Sequence, residues 1–254
     1  MQYTMPEKYY GLIRYIAPHN GQLKNSMETT VDNGFFCTFA AELFNLKPNK
    51  MRRILLSMIF VCCTMALTAQ NSIQVNYQGS KPTISDFVSA YLLSYVWDED
   101  EDVLDEARNA AKQVWIQHRQ GKPLDEGETL TIDEKNGYVV YEFRDGDSMV
   151  RTEMCYWNES DQKHKLFAYN VSCFDKGKYS PGQFDGLTFY RYNNATKKMT
   201  MCEDVGFDVR FMTDDGAYVS YALPRTGKDI VVTSWYDTGK REKTLKWNGR
   251  RFRF

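Results

Sequence analysis

From residue 128 onward, the sequence is a succession of short runs rich in Val, Thr, Tyr and Phe, a composition typical of β-strands. Several runs are separated by pairs that end in glycine, which favour tight hairpins because glycine accepts positive φ values. The runs read TLTID, YVVYEF, MVRTEMCYW, KLFAYNVSCF, LTFYRY, KMTMCE, FDVRFM, AYVSYAL, DIVVTSWY and KTLKW, and the pairs are Asn136-Gly137, Asp145-Gly146, Asp215-Gly216, Thr238-Gly239 and Asn248-Gly249. The pattern predicts an antiparallel meander of eight to ten strands that is strongly curved or barrel-like.

Two amphipathic helices are predicted before the strands. Pro82-Thr83 opens the first, with Asp86 placed three residues after Thr83 as in a capping box. Its apolar stripe at helical spacing consists of Ile84, Phe87, Val88, Tyr91, Leu92 and Tyr95. The second stripe, which ends near Gly121, consists of Val103, Leu104, Ala107, Ala111, Val114, Trp115 and His118. Because helices come first and strands follow, the sequence predicts an α+β fold whose N-terminal helical pair covers one face or mouth of the sheet.

Residues 51–70, MRRILLSMIFVCCTMALTAQ, have the order of a secretory signal peptide. Two arginines precede the uncharged apolar run Ile54–Leu67, and small residues follow it. That run is too short to span a bilayer, which takes about 20 apolar residues. The sequence therefore predicts an exported protein that is periplasmic, displayed at the cell surface or extracellular.

This assignment divides the chain into three parts. Residues 1–50 are interpreted as an over-extended or disordered N-terminus, and residues 71–254 as a single α+β domain without a transmembrane span. In the alternative interpretation, residues 35–45 and 54–67 form two buried helices of a cytosolic protein. The arginine pair directly before the second of these apolar segments favours the signal peptide.

The charges of the chain argue against a nucleic-acid partner and are unevenly placed. Lys and Arg number 32 and Asp and Glu 33, whereas nucleic-acid binders carry a basic excess. Residues 98–106 hold seven acids and no base, and residues 240–254 hold seven bases and one acid. The C-terminal bases are interpreted either as a strip for an acidic partner or as a sheet edge protected from aggregation by charge. They are Lys243, Lys246, Arg250, Arg251 and Arg253.

The cysteines and the absent motifs exclude several enzyme classes. Cys155, Cys173 and Cys202 fall in the predicted domain, so at most one disulfide forms there, and three buried thiols are equally compatible with the sequence. The sequence contains no CxxC pair, GxSxG elbow, HExxH helix, Walker loop or GxGxxG turn. It therefore predicts no catalytic, cofactor-binding or metal-binding residue and no cofactor.

Three features resemble functional sites but have simpler interpretations. The acidic run 98–102 lacks the glycine and glutamate of a calcium loop, with Val103 and Asn109 at those positions, and is interpreted as a solvated turn before a helix. His118 and His164 are interpreted as structural or surface residues. Tyr, Phe and Trp alternate along LTFYRY, AYVSYAL and WYDTGK, and core packing is favoured over ring stacking on a ligand.

The segments ALTAQ and DIVVTSWYDTGKREKTLKWNGRRF resemble those of small, uncharacterised exported proteins of Gram-negative gut-type bacteria. The resemblance covers residues 51–254 and transfers no catalytic residue or ligand. With the missing motifs, it favours a non-enzymatic binding module for a protein, glycan or apolar ligand, for example one that resembles a hydrolase inhibitor. The alternatives are a glycan hydrolase based on paired carboxylates and a structural envelope component. The sequence leaves the oligomeric state open.

Overall fold

The structure, a computed structural model, describes residues 72–94, 104–182 and 186–254. The predicted signal peptide, the acidic run 98–102, Tyr95 and Val103 lie outside these ranges. The helices are α1 (Ile84–Leu93) and α2 (Leu104–Arg119). The strands are β1 (Ser72–Gln74), β2 (Glu128–Asp133), β3 (Tyr138–Asp145), β4 (Ser148–Asn158), β5 (His164–Asp175), β6 (Lys178–Tyr179), β7 (Gly186–Asn193), β8 (Lys198–Met201), β9 (Tyr218–Ala222), β10 (Ile230–Tyr236), β11 (Gly239–Trp247) and β12 (Phe252–Arg253).

Both helices begin and end where their signals predict. Asp86 Oδ2 accepts hydrogen bonds from the Thr83 backbone N–H at 2.7 Å and from the Thr83 hydroxyl at 3.0 Å. The predicted stripe of α1 is buried from Ile84 to Leu92. After α2 ends at Arg119, Gly121 adopts a φ of +67°. This positive φ terminates the helix at little cost because glycine has no Cβ.

The strands form two open antiparallel sheets. The first has the order β1-β8-β7-β5-β4-β3-β2, with β6 paired to the end of β5, and the second has the order β12-β11-β10-β9. The α+β class and the antiparallel meander are confirmed, but the prediction of a strongly curved or barrel-like sheet is wrong. The chain leaves the first sheet after β8 and starts a second one, and the first sheet stays open because its end strands β1 and β2 do not pair with each other.

The first sheet is buried on both faces. On one face, the Phe87 ring of α1 lies 6.0 Å from Phe167 and 5.1 Å from Tyr192, measured between ring centroids. On the other face, Trp157 lies 5.1 Å from Phe252 of the second sheet. The side chains of β4 alternate between these two cores, as the period of a strand requires.

Nine of the ten predicted runs lie in strands, and the exception is FDVRFM at residues 207–212. The glycines of the five predicted turn pairs all have positive φ values, between +57° and +146°. The short strands β1, β6 and β12 were not predicted. They contain two or three residues each, too few to show a strand period.

Candidate functional site

The second sheet meets the first through the edge of β9. Within the described residues, β9 forms a ladder only with β10, so its other edge presents free backbone groups to the interior. Asn170 Nδ2 donates to the Tyr221 carbonyl oxygen at 2.9 Å, and the Leu223 backbone N–H donates to Glu153 Oε2 at 3.4 Å. Two polar side chains of the first sheet thus take the place of a neighbouring strand.

Glu153 is the most deeply buried carboxylate of this junction, with 2% of the residue exposed. Tyr138 donates its hydroxyl to Glu153 Oε1 at 2.6 Å, and Arg151 Nη2 lies 3.6 Å from the same oxygen. Burial raises the pKa of Glu153, and the positive charge of Arg151 opposes that rise. A raised carboxyl pKa is typical of a general acid, but the contacts of Glu153 are all internal, which gives it a structural role.

His164, predicted to be structural or on the surface, lies beside two carboxylates in the connection between β4 and β5. Its Nδ1 is 2.6 Å from Asp161 Oδ2, and Arg191 Nε donates to Glu159 Oε1 at 2.7 Å. Hydrogen bonds from His164 and the Lys163 backbone lower the pKa of Asp161 to about 2. One ligand atom from each of Glu159, Asp161 and His164 lies within 4.8 Å of the others, as in a metal site. Because the histidine and Arg191 already occupy these oxygens, the group is a hydrogen-bonded turn.

A cleft of about 470 Å³, called here the Lys243 cleft, opens on one face of the second sheet. Val232 pairs with Tyr221 on one side and with Lys243 on the other, so these three side chains share that face. Val219 and Ser234 continue the floor, and Phe254 stands at the rim. Val219, Tyr221 and Val232 are only 5%, 5% and 8% exposed and belong to the core shared with the first sheet, so this face opens to solvent beside Ser234 and Lys243.

Residues 206–214, called here the crossing segment, form the opposite wall of the Lys243 cleft. The Tyr221 hydroxyl accepts a hydrogen bond from the Arg210 backbone N–H and donates one to the Arg210 carbonyl oxygen, both at 2.9 Å. Gly206 has a φ of +93°, and a Cβ there would lie 2.4 Å from the Phe252 carbonyl oxygen. These contacts fix the segment against β9 and the C-terminal strand.

The crossing segment also explains why FDVRFM was predicted as a strand. Phe207, Val209 and Phe211 are half-buried and the residues between them are exposed, which is the alternation of a strand. The only bridge described for the segment pairs Met212 with Tyr218. The sequence pattern therefore predicted the side-chain directions correctly but not the missing ladder.

A second cleft of about 340 Å³, the Met201 cleft, lies on the other side of the crossing segment and shares Phe207 and Asp208 with the first. Five large apolar side chains are exposed among the described residues, and three of them line these clefts. They are Met201 at 56%, Met212 at 53% and Phe254 at 75% exposure. Much of the exposed apolar surface of the described residues thus lies at the two adjoining clefts.

The two bases of the Lys243 cleft have different surroundings. Arg210 lies 3.7 Å from Asp208 and 3.6 Å from Asp214, so its charge is compensated. No carboxylate of the described residues lies within ion-pair distance of Lys243, whose Nζ is 5.7 Å from the centre of the Phe254 ring. The lining therefore holds equal numbers of acids and bases, and Lys243 is its one base without a carboxylate partner among the described residues.

The bases predicted to form one C-terminal strip do not act together. Lys243 faces the cleft, whereas Lys246 points to the other face of β11 because strand side chains alternate. Arg251 pairs with Asp204. Among the described residues, the outer edge of β11 has no strand partner before Lys246, and residues 239–244 are exposed, as the interpretation of a charge-protected edge requires.

Among the remaining candidates, Tyr190, Tyr192 and the three cysteines are buried. Tyr190 and Tyr192 are buried at 9% and 0% exposure, which confirms core packing for that run. Cys155, Cys173 and Cys202 are all buried and free, so the three-thiol alternative describes them. His118 is exposed, which agrees with a surface role but not with its place in the predicted apolar stripe of the second helix. Within the described residues, neither helix has the length and apolar character needed to cross a membrane.

No protein-family model matches the chain, and no curated protein or solved structure matches it either. The functional inference therefore rests on the two clefts, where exposed apolar side chains occur together with Lys243, a base that has no carboxylate partner among the described residues.

Proposed function

We propose that the protein is an exported, non-enzymatic binding module and that the Lys243 and Met201 clefts bind an apolar ligand. One observation carries the proposal: three of the five exposed large apolar side chains of the described residues line these clefts. Concentrated exposed apolar surface marks binding sites because water solvates it poorly. Their volumes of about 470 and 340 Å³ also fall within the range of small-molecule sites.

The geometry favours binding over the alternative of a glycan hydrolase. Such an enzyme places two carboxylates on either side of the scissile bond, one as a desolvated proton donor. Asp208 and Asp214 both lie beside Arg210, and their side chains are 87% and 99% exposed. Glu153 is buried, as a desolvated proton donor would be, but its oxygens accept hydrogen bonds from Tyr138 and from the Leu223 backbone N–H, which hold the second sheet in place. A structural envelope component, the remaining alternative, has no need of a ligand cleft.

The neutral dye N-phenyl-1-naphthylamine, whose fluorescence rises in apolar surroundings, tests the binding site on the full chain. Ser234→Trp places an indole on the cleft floor and should abolish saturable binding at that site. Thr244→Trp places the same ring on the exposed opposite face of β11 and serves as the matched control. The apolar run at residues 54–67 is itself able to take up dye. Binding in the cleft is therefore measured as the dye fluorescence that Ser234→Trp loses relative to the wild type. Equal binding by both variants would contradict the proposal.

Export is tested separately from binding. The proposed cleavage after Ala69 leaves every described element in the mature chain. We expect the protein isolated from its native host to begin near Gln70 or Asn71 and to be found outside the cytoplasm. A cytoplasmic species beginning at Met1 would overturn export, whereas the dye experiment would still decide whether the clefts bind a ligand.

A further inference from the structure

We propose that the ligand of the clefts is a long-chain carboxylate, whose anionic head group pairs with Lys243 and whose apolar chain extends past Phe207 into the Met201 cleft. This inference rests on the proposed binding function and specifies its ligand. It follows from the distribution of charge along the clefts, from their continuity and from the side chains that line them.

The head-group position is set by Lys243, the one base of the lining that has no carboxylate partner among the described residues. Arg210 is already neutralised by Asp208 and Asp214 at 3.7 and 3.6 Å. Lys243 has no described carboxylate within ion-pair distance, and its ammonium stands over the Phe254 ring beside the apolar floor. A ligand carboxylate there gains a charge-assisted contact without displacing an existing ion pair.

The direction of the chain follows from the opposite charge at the other end. No base lines the Met201 cleft, and of its two acids Asp208 is already beside Arg210, which leaves the charge of Glu203. An anionic head group would be repelled there, whereas a neutral hydrocarbon chain would not. The ligand is therefore oriented, with its anion at Lys243 and the end of its chain near Met201.

The two clefts adjoin at the crossing segment. Phe207 and Asp208 belong to the lining of both, so a chain that extends from one cleft to the other passes over the Phe207 ring. Met212 and Met201 stand exposed along the two clefts. Methionine side chains are flexible and polarizable, and they adapt to a chain without fixed shape. A rigid, strongly polar ligand such as a sugar would not cover these methionine side chains with apolar atoms.

Two dyes with the same aromatic system test the head-group contact on the full chain. N-phenyl-1-naphthylamine is neutral, and 8-anilinonaphthalene-1-sulfonate adds only an anionic group. We expect Lys243→Gln to weaken binding of the anionic dye roughly threefold to tenfold relative to binding of the neutral dye, because only the anionic dye loses an ionic contact. Lys246→Gln removes the same charge from the opposite face of the same strand and should change neither affinity.

Competition with decanoate and decan-1-ol tests the carboxylate itself, because the two have the same chain length. Each displaces the neutral dye from the wild type, and the ratio of their half-displacing concentrations measures the preference for the anion. In Lys243→Gln, that preference should fall by a similar roughly threefold to tenfold, while Lys246→Gln keeps the wild-type ratio.

The outcomes separate this inference from the function on which it rests. If Lys243→Gln and Lys246→Gln weaken the anionic dye equally, or if the decanoate preference is unchanged in Lys243→Gln, the head group does not lie at Lys243 and the inference is overturned. The binding function would then survive through the neutral dye. If the wild type shows no neutral-dye binding that Ser234→Trp removes, both fail.

Discussion

At the scale of single residues, buried polar side chains between the two sheets form the hydrogen bonds that the backbone of a neighbouring strand would otherwise form. Glu153 and Asn170 bind the Leu223 N–H and the Tyr221 carbonyl oxygen, which β9 presents on its unpaired edge. A buried carboxylate is tolerated there because a hydroxyl, an amide and a guanidinium surround it. Glu153 thus connects the two sheets through hydrogen bonds to both.

Substitutions of Glu153 should affect stability in a pH-dependent way. Burial raises the pKa of Glu153 above the unfolded value of 4.5, so the folded state favours the protonated acid. Its contribution to the free energy of unfolding is therefore fully present below pH 4.5 and is lost as the pH rises through the folded pKa. Glu153→Gln cannot titrate, so the wild type should lose stability relative to this variant over that window.

Chemical denaturation at a series of pH values measures this difference. Glu142→Gln is the matched control, because Glu142 also lies 3.6 Å from Arg151 but is more exposed. Glu153→Ala leaves its partners unsatisfied and should cost about 3 kcal/mol or more at neutral pH. A wild type and Glu153→Gln whose stabilities stay parallel across the window would contradict the argument.

Gly206 is required by both its conformation and its close neighbour. Gly206→Ala combines the strain of a φ of +93° with a Cβ 2.4 Å from the Phe252 carbonyl oxygen. Gly216→Ala has a similar φ of +83° but nothing within 4 Å, so it isolates the conformational part. We expect about 1 kcal/mol of destabilisation in Gly216→Ala and at least about 2 kcal/mol more in Gly206→Ala. Equal losses of unfolding free energy would show that the close approach carries no cost.

At the scale of elements, the crossing segment is held as a wall although it lacks the ladder of a strand. The Tyr221 hydroxyl binds both backbone groups of Arg210, and Phe207 packs 6.0 Å from Phe189 and Phe252. The segment therefore keeps the two clefts in their shape through side chains of neighbouring elements.

Tyr221→Phe should loosen the crossing segment at Arg210. Loss of two hydrogen bonds is expected to cost about 1–2 kcal/mol and to expose the peptide bond after Arg210 to trypsin. Tyr218→Phe, on the same strand with its hydroxyl in no described hydrogen bond, is the control. Mass-spectrometric timing of the cut after Arg210 measures the effect, and equal cleavage rates in the two variants would argue against it.

At the scale of the whole molecule, the described part of the chain consists of two open antiparallel sheets and two helices, with Phe87 of α1 stacked near Phe167 of the larger sheet. Each sheet keeps an exposed edge, and the edge of β11 carries Lys240, Glu242 and Lys243 instead of an apolar strip. Charged edges discourage pairing with other chains. The interior contains two apolar clusters, which hold the three free thiols, and buried polar side chains such as Glu153 and Asn170.

The thiols report on how the two cores open. Cys155 and Cys173 lie on opposite faces of the first sheet, at 2% and 1% exposure, and burial raises the pKa of the Cys155 thiol. Cys202 is 8% exposed and lines the Met201 cleft. We expect iodoacetamide to label Cys202 first, and Cys155 and Cys173 later at one shared rate set by global unfolding. Peptide mapping of the labelled sites measures this, and separate rates for the latter two would show that the cores open independently.

By itself, the sequence determined the local structure. The helical stripes, the capping box at Thr83 and nine of the ten strand runs follow from period and turn chemistry, which depend on residues close along the chain. It also placed Tyr190, Tyr192 and the three cysteines in the interior as a consistent interpretation. The signal peptide at residues 51–70 remains a prediction from sequence.

Only the tertiary structure decided how many sheets form and where the clefts lie. Hydrogen bonding between strands depends on which edges meet, so the division into two sheets and the failure of residues 207–212 to join a ladder have no local signal. The clefts need the crossing segment, the open part of the second sheet and Phe254 to come together, and Lys243 stood in the sequence as one of five similar bases. Long-range packing singled it out by leaving its charge beside an apolar floor without a partner.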